Sequence, residues 1–344
     1  MSKTMTHHYI LISFLAIMAC SSVNKEPDTK TSKQTIGSIE IFDAEALQLI
    51  DTMRQMEILA EGHDWSEGPV WIADHNMLLY SDIPPNAIYA WSEDKGSRLF
   101  LQPAGYTGEI DRVGEPGSNG LLLDQDGNLV LCQHGDRRVA RYTGSLADPK
   151  PAYETIADSW QGKRFNSPND AAYHKNGDLY MTDPPYGLEK NMDDPAKEIP
   201  FQGVYRVSQD GQVSLLIDSI TRPNGIAFSP DYKRLYVACS DAGRAKWFDY
   251  LLDDQGNIVS GGELYDVTSM VGKEKGLPDG LKVHPSGVLF ATGPGGVWLI
   301  SPEGKALALL RTTEATANCA FDDDFSTLYI TADMYLLRLE LSTS

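Results

Sequence analysis

Asn224-Gly225-Ile226-Ala227-Phe228 runs through Ser229-Pro230-Asp231 to Leu235-Tyr236. A polar residue opens a short apolar strand, a turn of Ser, Pro and Asp follows, and a second strand ends in Leu-Tyr. This is the pattern of a β-hairpin. The same object recurs along the chain. Asn119-Gly120-Leu121 leads to Asp126-Gly127-Asn128-Leu129-Val130, and Asn169-Asp170-Ala171 leads to Asn176-Gly177-Asp178-Leu179-Tyr180. Asp279-Gly280-Leu281 leads to Ser286-Gly287-Val288-Leu289-Phe290, and Asn318-Cys319-Ala320-Phe321 leads to Ser326-Thr327-Leu328-Tyr329. A weaker copy runs from Glu67-Gly68-Pro69-Val70-Trp71 to Met77-Leu78-Leu79-Tyr80. The copies are spaced by about 50 residues, a period that marks a repeat architecture.

Between the copies lies a second hairpin signal. Gly203-Val204-Tyr205-Arg206-Val207 precedes Ser208-Gln209-Asp210-Gly211, and Gly296-Val297-Trp298-Leu299-Ile300 precedes Ser301-Pro302-Glu303-Gly304. Four strands per unit, six units and no sustained helical period predict an all-β chain, a six-bladed β-propeller with four-stranded antiparallel blades. Met56–Ala60 is expected to pair with Tyr335–Leu339 and close the ring, removing the open edge of a linear array. Residues 43–54 are expected to form a short helix outside the disk.

In such a disk the innermost strand of each blade lines the central channel, so the heads of the repeats meet in space. The ring reads Glu67, Asn119, Asn169, Asn224, Asp279 and Asn318. Any one Asn-Gly or Asp-Gly is an ordinary turn dipeptide; recurrence at one point of every unit points to a site. Two carboxylates and four amides suit a hard cation. Calcium, with six to eight oxygen ligands, is the first expectation. Mg²⁺ and Mn²⁺ are alternatives, and Zn²⁺ is less favoured because no His and Cys cluster accompanies the ring.

Composition agrees with a globular domain: 42% of residues are hydrophobic and 22% charged. The formal charge is −19 and the pI about 4.7. Such a balance argues against unaided nucleic-acid binding, because phosphate contact needs a basic footprint. At the N-terminus, Lys3, His7 and His8 precede an apolar run from Tyr9 to Met18 that ends at Ile17-Met18-Ala19-Cys20. The run is too short to span a bilayer and suits an export signal. It predicts a lipoprotein-type signal peptide over 1–19, a lipid anchor at Cys20 and a flexible tether over 20–37, with the propeller over 38–344. The protein is then exported, either anchored to the outer membrane or periplasmic. Cys132, Cys239 and Cys319 lie in or beside apolar strands and read as buried thiols.

The marks Trp65-Ser66-Glu67-Gly68-Pro69-Val70-Trp71, Cys132-Gln133-His134-Gly135-Asp136-Arg137-Arg138-Val139, Phe165-Asn166-Ser167-Pro168-Asn169-Asp170, Thr182-Asp183-Pro184-Pro185-Tyr186-Gly187 and Leu277-Pro278-Asp279-Gly280 follow in order. Across roughly residues 55–340 the chain resembles the gluconolactonase, senescence-marker-protein and regucalcin family of calcium-dependent lactonases, in its bacterial gluconolactonase branch. The resemblance implies metal ligation by Glu67, Asn169, Asn224 and Asp279, and makes Asn119 and Asn318 pocket residues. It also implies hydrolysis of a sugar lactone of the glucono-δ-lactone type, with Asp279 as the first candidate base.

His134, able to carry a proton near neutral pH, is the alternative base. Arg137 or Arg138 is expected to bind substrate hydroxyls or the product carboxylate. Asp170 and Asp183 are expected to support the site, with Asp170 near substrate, and Tyr186 to form a rigid wall for a sugar ring. Trp65 and Trp71 read as core. Rival readings are hydrolysis of another lactone, an aryl ester or a phosphotriester on the same scaffold, or a noncatalytic ligand-binding propeller. The expected partner is a small molecule, and a monomer is expected.

Overall fold

The computed structural model describes residues 33–110 and 112–342. The expected signal peptide, Cys20 and most of the expected tether lie outside the described residues. From Gln34 onward the chain forms one compact unit.

Six antiparallel sheets follow one another. The first blade comprises Ser66–Ile72, Met77–Asp82, Ala87–Ser92 and Gly96–Leu101. The second comprises Ser118–Leu123, Leu129–Gln133, Arg138–Tyr142 and Tyr153–Ala157, and the third Ala171–Tyr173, Leu179–Asp183, Gly203–Val207 and Val213–Ile217. The fourth holds Pro223–Phe228, Arg234–Cys239, Lys246–Leu252 and Ile258–Asp266. The fifth holds Leu281–Val283, Leu289–Gly293, Gly296–Ile300 and Ala306–Arg311, and the sixth Thr316–Phe321, Thr327–Ala332 and Tyr335–Glu340. The innermost strands touch in succession, and the sixth returns to the first. The chain is a six-bladed β-propeller.

Closure follows the expected route: Met56–Ala60 pairs antiparallel with Tyr335–Glu340, with Ile58 opposite Leu337. Two additions make the fifth and sixth blades five-stranded. Ser38–Ile41 pairs with Ala306–Arg311, and Thr35–Ile36 pairs with Met56–Glu57. The propeller therefore begins before residue 38, and the last residues of the expected tether belong to it. Within 43–54 the helical part is one short 3-10 turn, Ala44–Gln48, capped by Asp43 Oδ1 accepting from Glu45 N. Ala46, Leu49 and Ile50 pack into the apolar layer between the fifth and sixth blades.

The apolar residues lie between blades, not at the centre. In Met77–Asp82, Met77 and Leu79 face the second blade while Leu78 and Tyr80 face the sixth. A strand buried on both faces reads as a continuous apolar run, which is why Leu78-Leu79-Tyr80 shows no alternation. Equivalent layers fill each of the other blade boundaries. Cys132, Cys239 and Cys319 are buried, unpaired thiols within these layers. The centre is left to the polar heads of the inner strands.

Candidate functional site

Inner strands converge on the axis, and hydrogen bonds fix their register. Gly120 N donates to Asn169 O (2.8 Å), Gly225 N to Asp279 O (3.1 Å) and Gly280 N to Ala317 O (2.7 Å). In each case the residue after one head bonds the head of the next blade. Ser81 Oγ donates to Asn119 O, and Thr292 Oγ1 donates to Ala317 O in the same manner. Both patterns put Ala317, not Asn318, in the sixth head position. The expected ring is corrected there: it has five polar members, and Asn318 sits one residue further along its strand.

That next level explains the recurring glycines. It holds Gly68, Gly120, Asp170, Gly225, Gly280 and Asn318. A Cβ on Gly225 would strike the carbonyl oxygen of Asp279, and one on Gly280 would strike the Asn318 side chain. A Cβ on Gly120 would lie 2.6 Å from Asp170 Oδ1. These are close-approach glycines rather than turn glycines. Asp170 and Asn318 use the space and meet Lys282, whose Nζ lies 3.9 Å from Asp170 Oδ2 and donates to Asn318 Oδ1 (3.3 Å).

Above this level Glu67, Asn119, Asn169, Asn224 and Asp279 line one hollow of about 370 Å³, a size typical of small-ligand sites. Trp65, Tyr186, Val271, Leu277 and Ala315 supply apolar walls, and Glu115 and Ser240 add polar groups. Other surface hollows match it in volume. What distinguishes this one is the state of its oxygens.

Three of the heads have an amide nitrogen or one carboxylate oxygen tied back into the protein. Asn169 Nδ2 lies 3.3 Å from His134 Nε2. Asn224 Nδ2 donates to Ser240 Oγ at 3.0 Å, and Ser240 Oγ donates to Pro278 O. Glu67 Oε2 accepts from Gly68 N. Glu67 Oε1, Asn119 Oδ1, Asn169 Oδ1 and Asn224 Oδ1 remain buried without a partner. An unsatisfied buried acceptor costs on the order of 1–3 kcal/mol, so four in one place call for something that binds oxygen. A hard divalent cation is such a species. Among the described residues no group of three or more His, Cys, Asp and Glu is placed to hold a metal; a cation here would rest on amide oxygens as much as on carboxylates.

Electrostatics point the same way. Burial holds the Glu67 carboxyl well above its ordinary range, and the nearby Asp170 charge adds to this. Asp279 is also raised, first by burial and then by the Glu67 charge, while a hydrogen bond with Asn224 opposes the shift. Asp279 is the more open of the two, half-buried against the hollow.

Supporting residues set the approach to the ring. Asp183 Oδ2 and Oδ1 accept from Asn166 N and Ser167 N, each at 2.8 Å, and fix the segment that delivers Asn169. Burial pushes the Asp183 carboxyl up to about 7. Asp82 Oδ1 does the same in the first blade, accepting from Asp64 N and Trp65 N. Trp65 is thereby presented to the hollow and is a wall residue, contrary to its expected core role. Trp71 does pack inward, stacked on Tyr329 at 5.4 Å.

Five expected site residues stand elsewhere. His134 is completely buried and does not line the hollow; its Nε2 lies 3.3 Å from the Asn169 amide nitrogen. Arg137 has a left-handed backbone, φ 58°, and its guanidinium donates to the carbonyls of Phe165 and Ala196 on the far side of the loop. Arg138 binds Gln133 and Asp136. Asp170 and Asn318 lie on the Lys282 level, not on the wall. Tyr186 stands where expected. Glu115, Ser240, Leu277 and Val271 were not foreseen; the only sequence signal for Glu115 is its place four residues before Asn119.

Residues 65–333 match the family described as SMP-30/Gluconolactonase/LRE-like region. The chain is 36% identical over 316 residues to the gluconolactonase of Zymomonas mobilis, covering 90% of this chain and 87% of that protein. It is 25% identical over 281 residues to human regucalcin, covering 80% and 85%. The solved structure of a Xanthomonas campestris gluconolactonase superposes with a TM-score of 0.76 at 27% identity, covering 90% of this chain and 98% of that one.

Proposed function

Because the chain belongs to the SMP-30/gluconolactonase/LRE-like family and is a lactonase-type hydrolase, we propose that it opens a sugar lactone to its aldonic acid at the axial hollow, with calcium as cofactor. The observation that carries this is the set of four buried, unpartnered oxygens on Glu67, Asn119, Asn169 and Asn224. Glu67, Asn169, Asn224 and Asp279 would hold the ion, with Asn119 beside them. When bound, the cation supplies electrophilic polarisation of a carbonyl oxygen.

The chain's own residues do the rest. Tyr186, Leu277 and Trp65 form apolar walls that hold a ring and exclude bulk water. Burial pushes the Tyr186 hydroxyl upward, so it stays protonated. Asp279, open to the hollow, orients the attacking water and takes its proton on a carboxylate oxygen. The water oxygen bonds the carbonyl carbon, the ring C–O bond breaks, and the departing oxygen receives the proton from Asp279. One hydroxy acid leaves and Asp279 is regenerated. His134 holds the Asn169 amide so that its oxygen faces the axis.

A pH-stat screen across aldonolactones, aryl esters and phosphotriesters, with calcium and with chelator, tests this. Calcium-dependent preference for an aldonolactone supports it. Turnover of phosphotriesters or aryl esters alone moves the substrate class, and no turnover of any class points to a binding protein. Residues 1–20 support a further proposal, export with a lipid anchor at Cys20; Cys20→Ser should release the protein from the membrane fraction.

A further inference from the structure

The axial hollow has a carboxylate that neither the ring nor the proposed chemistry uses. Glu115 lines its wall with its side chain 39% exposed and Oε2 3.4 Å from His134 Nδ1. That distance is long for a hydrogen bond, so the pair is a loose contact that leaves the carboxylate available to the hollow. Every other carboxylate lining the hollow, Glu67 and Asp279, belongs to the head ring. Glu115 instead comes from the loop before Asn119.

Its position is enforced. Arg112, three residues earlier, donates to Gly135 O (2.5 Å) and Gly187 O (2.8 Å). These glycines directly follow His134 and Tyr186. On the other side, Gly117 N donates to Ile83 O and Gly117 O accepts from His134 N. The backbone on both sides of Glu115 is thus tied to the loops that carry the site.

A carboxylate on the wall of the hollow opposes the negative charge that develops on a carbonyl hydrolysed there. It has a use only if substrate brings hydrogen-bond donors to that wall. An ionised carboxylate accepts and cannot donate, which selects a ligand bearing hydroxyl groups and disfavours an anion. We propose that Glu115 is a specificity-determining residue that accepts hydrogen bonds from the hydroxyls of a polyhydroxylated lactone ring and, by its charge, weakens the hold on the aldonate product. This rests on the lactonase reading above and adds the substrate class to it.

The test is steady-state kinetics of the full chain in saturating calcium with glucono-δ-lactone, for the wild type, Glu115→Gln and Glu115→Ala. Gluconate inhibition is measured alongside. Glu115→Ala should raise KM roughly 10- to 100-fold, the scale of a hydrogen bond to a charged group, with a much smaller change in kcat. Glu115→Gln keeps an acceptor but loses the charge, so KM should rise less while gluconate inhibits more tightly than in the wild type. An unmoved KM, or a loss carried mainly by kcat, overturns the proposal, since the second would mean that Glu115 acts through His134. No lactone turnover by the wild type overturns the lactonase reading itself and this proposal with it.

Discussion

Asn169 Nδ2 lies 3.3 Å from His134 Nε2, and that contact decides which way the amide of Asn169 faces. With Nδ2 spent on the imidazole, Oδ1 is left to the axis, where it has no partner. A histidine beside a candidate base position is here a device for aiming an amide oxygen.

The first prediction follows from that contact. His134→Leu removes the acceptor and frees the Asn169 amide to rotate. Calcium affinity should fall roughly 10- to 100-fold, the usual cost of losing a supporting partner of a ligand. His134→Gln retains an acceptor and should lose less. The acid limb of the pH–rate profile should stay in place in both variants. Isothermal calcium titration and a pH–rate series check this, and a lost acid limb would restore His134 as a base.

The second concerns pH. Glu67 and Asp279 are both held above the ordinary carboxyl range, chiefly by burial. Both must lose protons for a cation to bind, so binding releases protons. The sign is therefore fixed: calcium affinity rises with pH through the raised carboxyl range and levels off once both groups are ionised. Titrations in buffers of different ionisation enthalpy, at several pH values, measure the released protons.

The third concerns Asp279. Asp279→Asn keeps an amide oxygen for the ring but removes both a charge and the proton acceptor. Lactone hydrolysis should fall on the order of 10³-fold, within the range of general-base removal, even when calcium is raised to saturation. Recovery of activity at high calcium would reduce Asp279 to a ligand alone.

The fourth concerns the glycine level. Gly225→Ala places a Cβ against the carbonyl oxygen of Asp279 and cannot be accommodated by a side-chain rotation. It should destabilise the protein by about 1–3 kcal/mol, the cost of overpacking, and weaken calcium binding through displacement of Asp279. Gly262→Ala, in an outer strand where an added Cβ meets nothing within 4 Å, is the control and should leave the melting temperature within a degree or two. Thermal unfolding of the two variants decides.

The propeller was readable because each unit repeats the same hairpin, and because strands buried on both faces leave long apolar runs such as Leu78-Leu79-Tyr80. Five heads were readable for the same reason. The sixth was misplaced by one residue because Ala317 has no polar side chain to mark it, and Asn318 beside it does. The glycines after the heads read as turn residues, since close approach between inner strands leaves no other trace in a sequence. Arg137 lay near the ring in sequence but turns away at a left-handed backbone position. Glu115 was missed because it comes from a connecting loop outside the repeat, where no periodicity applies.

The most direct test combines two readings on one sample: calcium titrated into chelator-stripped wild-type protein, with bound ion and lactone hydrolysis followed together. One ion per chain should bind, activity should return along the same saturation curve, and Glu67→Gln should shift both to higher calcium in step. Full hydrolysis by the stripped protein, with no ion bound, would contradict the account.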